Sequence, residues 1–378
     1  MNRPTCKVGA SICLLVLALS TFPGCQRKSS GWKGTIERRG LTVVVKNPRT
    51  PLYGPEILRL EKDLTIGKAE GEKEYILSSI GGIAVDSENR VYIIDRDDAN
   101  VRVFEANGNY SRTIGQKGQG PGETQMPVFI QITSENELAI YDYASAHAVY
   151  YSLDGKFLRQ VPTGHPLQPV ELDSRGNLVG FEILAPPPLG GKVLKRYGPN
   201  FSFLADVAKE EPGKMRTFEI GRPALYACTT VGDAVVWGNS ESYLLHILDS
   251  KGELVRTIER EYDPVAITSN DREEYRKKYA GALQAGLTLD FRVHFPAFCG
   301  ISADDGGRIF VKTYERAEKA AGSICYDVFD PEGRYDARVS LSVDLSAGSV
   351  WKNQKLYTIE TDEQGFPVVN RYDVAWKK

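Results

Sequence analysis

The reading of this chain turns on two stretches, GGIAVDSENRVYIIDRDDANVRVFEANGNYSRTIG at 81–115 and VFIQITSENELAIYDYASAHAVYYSLDGKFLRQV at 128–161. Each holds four short runs in which apolar and polar residues alternate, the period of a half-buried β-strand. Turn residues fall at matching places: SEN follows the first run in both, and Asn107-Gly108 or Asp154-Gly155 precedes the last. Such a pair between alternating runs predicts a tight hairpin of type I′, with positive φ at both residues. Asp95 and Phe104 are nine residues apart, and so are Asp142 and Tyr151.

The unit recurs with more drift from residues 169, 228, 299 and 349, and the last copy runs out early. The connection recurs as well, since 64–85 parallels 112–132. Six four-stranded units of this period predict an all-β chain folded as a six-bladed β-propeller. One blade cannot cover both of its faces, so each stacks on the next until the ring closes. The sixth copy has room for about three strands of ordinary length. One or both of the N-terminal runs TIERRGLTVVVKN (35–47) and EILRLEKDLTI (56–66) is therefore expected to complete it. Two segments break the pattern. LAPPPLGG (184–191) is a proline-rich loop inside blade three, and 263–296 is an insertion between blades four and five. The insertion carries a helix start, with Asn270 as the expected cap and Glu273 three residues on. Tyr275, Tyr279 and Leu283 form one helical face.

The repeat resembles the NHL repeat and the six-bladed bacterial propeller lipoproteins related to it, with TolB-like propellers a broader likeness. The resemblance rests on Gly120-Pro121-Gly122 followed by Pro127, on VYIID ending at Asp95, and on VRVF ending at Phe104. In the loop where NHL repeats favour Asn-x-Arg, this chain has DDAN (97–100) and SAH (145–147). The likeness implies the propeller at 33–378 and a role in binding.

The first residues read differently. A basic start with Arg3 and Lys7 precedes an apolar run of signal-peptide length, and FPGC ends at Cys25. This resembles a bacterial lipobox. It implies a signal peptide at 1–24, lipid on Cys25 and a tether at 25–32. Gln26 after the cysteine favours the outer membrane. The expected location is thus the cell envelope, with the membrane as one partner through the lipid anchor. Removing the leader takes Cys6 and Cys13 with it and leaves Cys228, Cys299 and Cys325. An odd number excludes a full disulfide framework. YACTT and FCGIS read as strands in which Cys228 and Cys299 are small buried hydrophobes.

Composition narrows the function. With 42% hydrophobic and 25% charged residues the chain is ordinary globular protein, and a net charge of −2 offers no field for nucleic acid. Neither G-x-S-x-G nor H-E-x-x-H occurs. The glycine run GQKGQGPGETQMP (115–127) lacks the Lys-Ser/Thr of a P-loop and leads into a strand, not a helix that could present amides to phosphate. It reads as the crossing from blade one to blade two. His147, His165 and His294 lie in segments that map to one end of a propeller, whereas His246 lies in a strand. Asp95 and Asp142 end corresponding strands, and their recurrence points to turn capping rather than to metal ligation.

A non-catalytic binding module follows. Its ligand-binding face would carry Asp97, Asp98, Tyr143, His147, Arg292 and His294, roofed by the insertion, and would take an envelope protein or a small molecule without a cofactor. Two alternatives stand beside it. One is a metal-dependent lactonase- or lyase-type propeller using Ca²⁺ or Zn²⁺. The other is a structural subunit of an envelope complex.

Overall fold

The computed structural model describes residues 31–316, 322–346 and 348–377. Cys25 and the leader lie outside these residues. The compact unit Trp32–Lys378 is a six-bladed β-propeller. Counting strands outward from the axis, blade one is Ile80–Val85, Val91–Asp95, Asn100–Phe104 and Tyr110–Ile114. Blade two is Pro127–Ile132, Glu137–Asp142, His147–Ser152 and Phe157–Pro162. Blades three, four and five begin at Gln168–Leu172, Leu225–Thr230 and Gly300–Ala303 and end at Phe203–Glu210, Leu254–Arg260 and Tyr335–Leu341. All neighbours within these four-stranded sets are antiparallel.

The strand 3–4 turns are not type I′. In blade one Gly108 N–H bonds Glu105 O at 2.8 Å and Glu105 N–H bonds Asn109 O at 2.8 Å. Gly108 has φ +85°, and Asn107 is not among the residues with positive φ. Blade two repeats this with Gly155 at φ +100°. The pair thus sits one step later than in a two-residue hairpin, with a register shift beside it at Val103/Phe104. A turn with one left-handed residue and an adjoining bulge needs glycine once, not positive φ twice.

Each blade face is buried against the next. Tyr92, Ile94 and Val103 of blade one pack on Leu138, Ile140 and Val149 of blade two. Val236, Leu245 and Ile258 of blade four pack on Ile309, Val311 and Phe329 of blade five. Ile83, Val91 and Phe104 of blade one meet Tyr357 and Val369 of blade six. At about 1.5–3 kcal/mol for each large side chain buried, these seams dominate the stability of the ring. A polar clasp recurs at the rim. Arg112, Arg196, Arg256 and Arg371 each donate to a strand 3–4 turn of the following blade: Leu153 O at 3.4 Å, Ser250 O at 2.8 Å, Pro331 O at 2.5 Å and Ala106 O at 2.6 Å.

Ring closure uses one N-terminal run only. Leu58–Ile66 pairs antiparallel with Pro367–Trp376 and becomes the outer strand of blade six, outside Val350–Lys352 and Lys355–Thr361. The earlier run goes elsewhere. Thr35–Arg39 and Thr42–Asn47 form a hairpin whose second strand pairs in parallel with Leu254–Arg260, so blade four has six strands. Its place is set by Val44 and Val45, both buried, and by Asn47. The Asn47 amide donates to Gly333 O at 2.9 Å and accepts from Tyr335 N–H at 2.7 Å, joining blade four to blade five. Between the two runs, Leu52 and Tyr53 N–H bond Tyr335 O and Asp336 O. The N-terminal segment therefore straps blades four, five and six.

Another inter-blade contact involves a carboxyl. Glu171, on the inner strand of blade three, accepts from the Thr229 hydroxyl on that of blade four. Burial, and then the Asp233 carboxylate, push the Glu171 pKa up to about 7.

Two outcomes follow. A chain beginning at 48 is expected to melt cooperatively at lower temperature, whereas one beginning at 67 should lose its cooperative circular-dichroism melt, because only the second leaves blade six unclosed. Glu171 also makes stability depend on pH. Its folded pKa lies above the ordinary value, so the folded state binds the extra proton, and stability falls as pH rises from about 5 through 7. Glu171→Gln should remove on the order of 3 kcal/mol of that fall in urea titrations from pH 5 to 8; identical slopes for the two proteins would contradict it.

Candidate functional site

The strand topology sends the strand 2–3 turns and the blade-to-blade connections to the same face of the ring. The two aspartates that end the second strands of blades one and two build this face. Asp142 is fully buried. Its carboxylate accepts from Gln125 N–H at 2.9 Å, Met126 N–H at 2.7 Å and the Ser145 hydroxyl at 2.7 Å. It ties the strand 2–3 turn to the incoming connection. Asp95 does the same with Ser78, Asp97 and Asp98 N–H, and pairs with the buried Arg102 at 2.8 Å. Arg102 in turn donates to Lys73, Glu74 and Ile76 carbonyls. These acids are turn caps with every lone pair committed inward.

The residues expected on the face fall into two groups. Asp97 and Asp98 are exposed on the blade-one turn, with Asp98 held 2.8 Å from Arg102. Tyr143 is half-buried on the blade-two turn, against the seam with blade three. The His147 ring is tied to Ser145 O at 2.6 Å. Arg292 and His294 lie in the insertion, where Arg292 N–H bonds Ile220 O and its guanidinium is 3.9 Å from Glu241. Among the described residues no hydrogen bond, ion pair or ring contact joins the first group to the second. His165 faces the Tyr197 hydroxyl at 3.1 Å, and His246 is stacked on Trp237 inside blade four. Among the described residues no three His, Cys, Asp or Glu side chains are grouped to hold a metal ion.

The insertion makes its own concavity. Helix α1 (Ser269–Lys278) is capped by Thr268, not Asn270: the Thr268 hydroxyl accepts from Asp271 N–H, and the Asp271 carboxylate accepts from Thr268 N–H at 2.7 Å. Arg316 secures Asp271 from blade five at 2.5 Å. The pair wins because Asp271 stands three residues after a threonine in extended backbone, the capping-box geometry. The helix stops at Lys278 and a short α2 (Ala280–Gln284) follows, so Tyr275 and Tyr279 share a face without a continuous helix to Leu283. Strand Thr288–Phe291 then pairs in parallel with Thr217–Ile220 of the connection from blade three to blade four. Tyr279 stacks on Phe218 at 4.5 Å. A cleft of about 190 Å³ opens beside this stack, lined by Pro188, Glu210, Glu219, Arg222, Phe218 and Tyr279.

Next to it, at the mouth of the ring, three tyrosine hydroxyls gather beside the Cys299 thiol, which donates weakly to Thr313 O at 3.9 Å. Tyr226 starts blade four, Cys299 immediately precedes blade five, Tyr314 lies on the second strand of blade five, and Tyr275 reaches in from α1. Phe295 stacks on Tyr314 at 4.4 Å and packs near Tyr275. None of the three tyrosine hydroxyls bonds another described residue. Burial raises all three phenols, and the Cys299 thiol adds to the rise in each. The Cys299 thiol is itself pushed up to about 11 by burial, so it is a neutral, weak donor. Lys192 completes the set, its ammonium 5.5 Å from the Tyr226 ring.

Sequence reasoning brought out the insertion and Arg292 and His294 within it, but missed Lys192, Glu210, Arg222, Tyr226 and Tyr314. They stand in strands and connections with no motif spacing, and only the ring brings them together. Cys299 read as a strand hydrophobe and is half-buried at the mouth instead.

Known proteins bear on the fold. The family described as DUF5128, a 6-bladed beta-propeller, matches residues 68–174. No curated protein matches the chain. The chain is similar to a protein of Bacteroides fragilis NCTC 9343 described as exported, at 14% identity and TM-score 0.50, covering 89% of this chain and 100% of that one. It is similar also to a DUF4221 family member of Bacteroides vulgatus, at 10% identity and TM-score 0.50, covering 85% and 100%. Likeness at this level establishes the six-bladed propeller and nothing finer.

The turn caps can be separated from the mouth by mutation. Asp142→Ala leaves three backbone amides, those of Gln125, Met126 and Ala144, and the Ser145 hydroxyl unanswered and should cost about 3 kcal/mol in urea unfolding. A loss under about 0.5 kcal/mol would show that the carboxylate is not a structural cap.

Proposed function

We propose that this chain is a ligand-binding propeller of the bacterial cell envelope, tethered by lipid on Cys25, whose insertion holds a small molecule against the mouth of the ring. One observation carries the reading: the hydroxyls of Tyr226 and Tyr314 on the blades and of Tyr275 on the insertion have no hydrogen-bond partner among the described residues. Half-buried polar groups without a protein partner are answered by water or by what binds there, and a site lined by several of them is open to a polar ligand that displaces that water. The aromatic walls supplied by Phe295, Phe218 and Tyr279 suit a compact ligand rather than a long polymer.

A binding role asks for less than catalysis does. The mouth offers neutral donors and a cation, with no nucleophile paired to a base. The metal-dependent lactonase or lyase reading would need three convergent ligands, which the described residues do not bring together. The envelope location rests on the leader, the cysteine at its end and Gln26. Among the described residues no helix is long and apolar enough to cross a membrane; the lipid anchor is read from the leader and Cys25 alone.

Ligand-observed NMR tests the reading directly. Purified 26–378 is screened against a small-molecule extract of a bacterial envelope, beside a variant lacking 263–296 and the variant Tyr314→Ala. Signals that broaden with the wild type and recover with both folded variants are expected. Binders retained equally by both variants would place the ligand elsewhere on the propeller.

A further inference from the structure

Lys192 opens the third strand of blade three, opposite Ile183 and Glu210 in the register. Its side chain runs toward blade four. The ammonium lies 4.3 Å from the centre of the Phe181 ring and 5.5 Å from that of Tyr226. It forms no hydrogen bond or ion pair with any described residue. Ring faces return only part of what an ammonium loses when its water is partly stripped away. Burial accordingly lowers the Lys192 pKa, with the Glu210 carboxylate opposing the shift.

The acids nearby are already answered. Glu210 accepts from Leu225 N–H at 2.8 Å and lies 3.6 Å from Arg222. Glu219 lies 3.6 Å from Lys214 and 3.9 Å from Arg222. Arg222 is also spent, donating to Leu189 O at 3.1 Å and to Glu211 O. The groups left open are thus an ammonium and three phenol hydroxyls, all able to donate. A donor-rich lining selects a ligand rich in acceptors, and a half-buried ammonium whose facing carboxylate, Glu210, is already bonded to Leu225 N–H and paired with Arg222 selects a charged one.

We propose that Lys192 anchors a small organic carboxylate at this site, with the body of the ligand against the aromatic walls beneath the insertion. The inference rests on the binding reading above and gives it a chemical class. A phosphate monoester fits less well, because its three oxygens call for a free guanidinium or a run of open amides, and Arg222 is committed.

The test uses purified 26–378 and calorimetric titration with benzoate, gluconate and shikimate, each beside its neutral amide, and with inorganic phosphate. At least one carboxylate is expected to bind at least about tenfold more tightly than its amide, a difference of about 1.4 kcal/mol. Lys192→Met should remove that preference, Lys192→Arg should keep part of it, and Tyr314→Phe should weaken binding severalfold. Should Lys192→Met fail to fold by circular dichroism, Tyr226→Phe and Tyr314→Phe carry the test. Absence of binding by every carboxylate, tighter binding of phosphate, or full affinity in folded Lys192→Met would each overturn the inference. An uncharged ligand held beneath the insertion independently of Lys192 would overturn it too, while leaving the binding reading intact.

Discussion

The pairing of Leu58–Ile66 with Pro367–Trp376 is the constraint on which the rest of this molecule depends. It joins strands more than 300 residues apart and turns a stack of six sheets into a ring. Without it, blade six would expose the edge of its third strand, and its seam with blade one would lack Ile66 and Leu64. A closed ring has no terminal blade to fray, so each seam is held from both sides. The hairpin 35–47 reinforces this at blade four, and Asn47 links it to blade five by side-chain bonds that apolar packing alone would not orient.

Closure makes the mouth a fixed place. Lys192 belongs to blade three, Tyr226 to blade four and Tyr314 to blade five, with Cys299 just before the first strand of blade five. Their separation is set by blade packing rather than by any loop. Asp95 and Asp142 hold the turns of the same face by spending their carboxylates on backbone amides. The chain thus uses its recurring acids for architecture, while the groups at the mouth occur once each. The insertion adds a helix and a parallel strand pair to the rim, and the Thr268–Asp271 box with Arg316 fixes where the helix begins.

Much of this was legible in the sequence. The six units, the crossing at 115–127 and the place of the insertion follow from alternation and from recurring turn residues, because blades repeat the same local physics. The capping role of Asp95 and Asp142 was legible for the same reason. What escaped was non-local. Nothing in TIERRGLTVVVKN distinguishes a strand for blade six from one for blade four, since both edges accept an alternating apolar run. Asn107-Gly108 read as type I′ because the pair is shared with a longer turn that needs only the glycine. Thr268 was passed over for Asn270, two residues on, although Asp271 stands at the capping-box distance from the threonine. Tyr226, Tyr314 and Lys192 carry no motif; their meeting is a property of the closed ring.

Native-state hydrogen exchange followed by mass spectrometry tests the account at its centre. If one strand pair closes the ring, amides of Leu58–Ile66 and Pro367–Trp376 will exchange only through global unfolding, with the same denaturant dependence as the inner strands of blade two. Exchange of Leu58–Ile66 through small local openings, while the other blades stay protected, would contradict it and leave the mouth without the rigid frame described above.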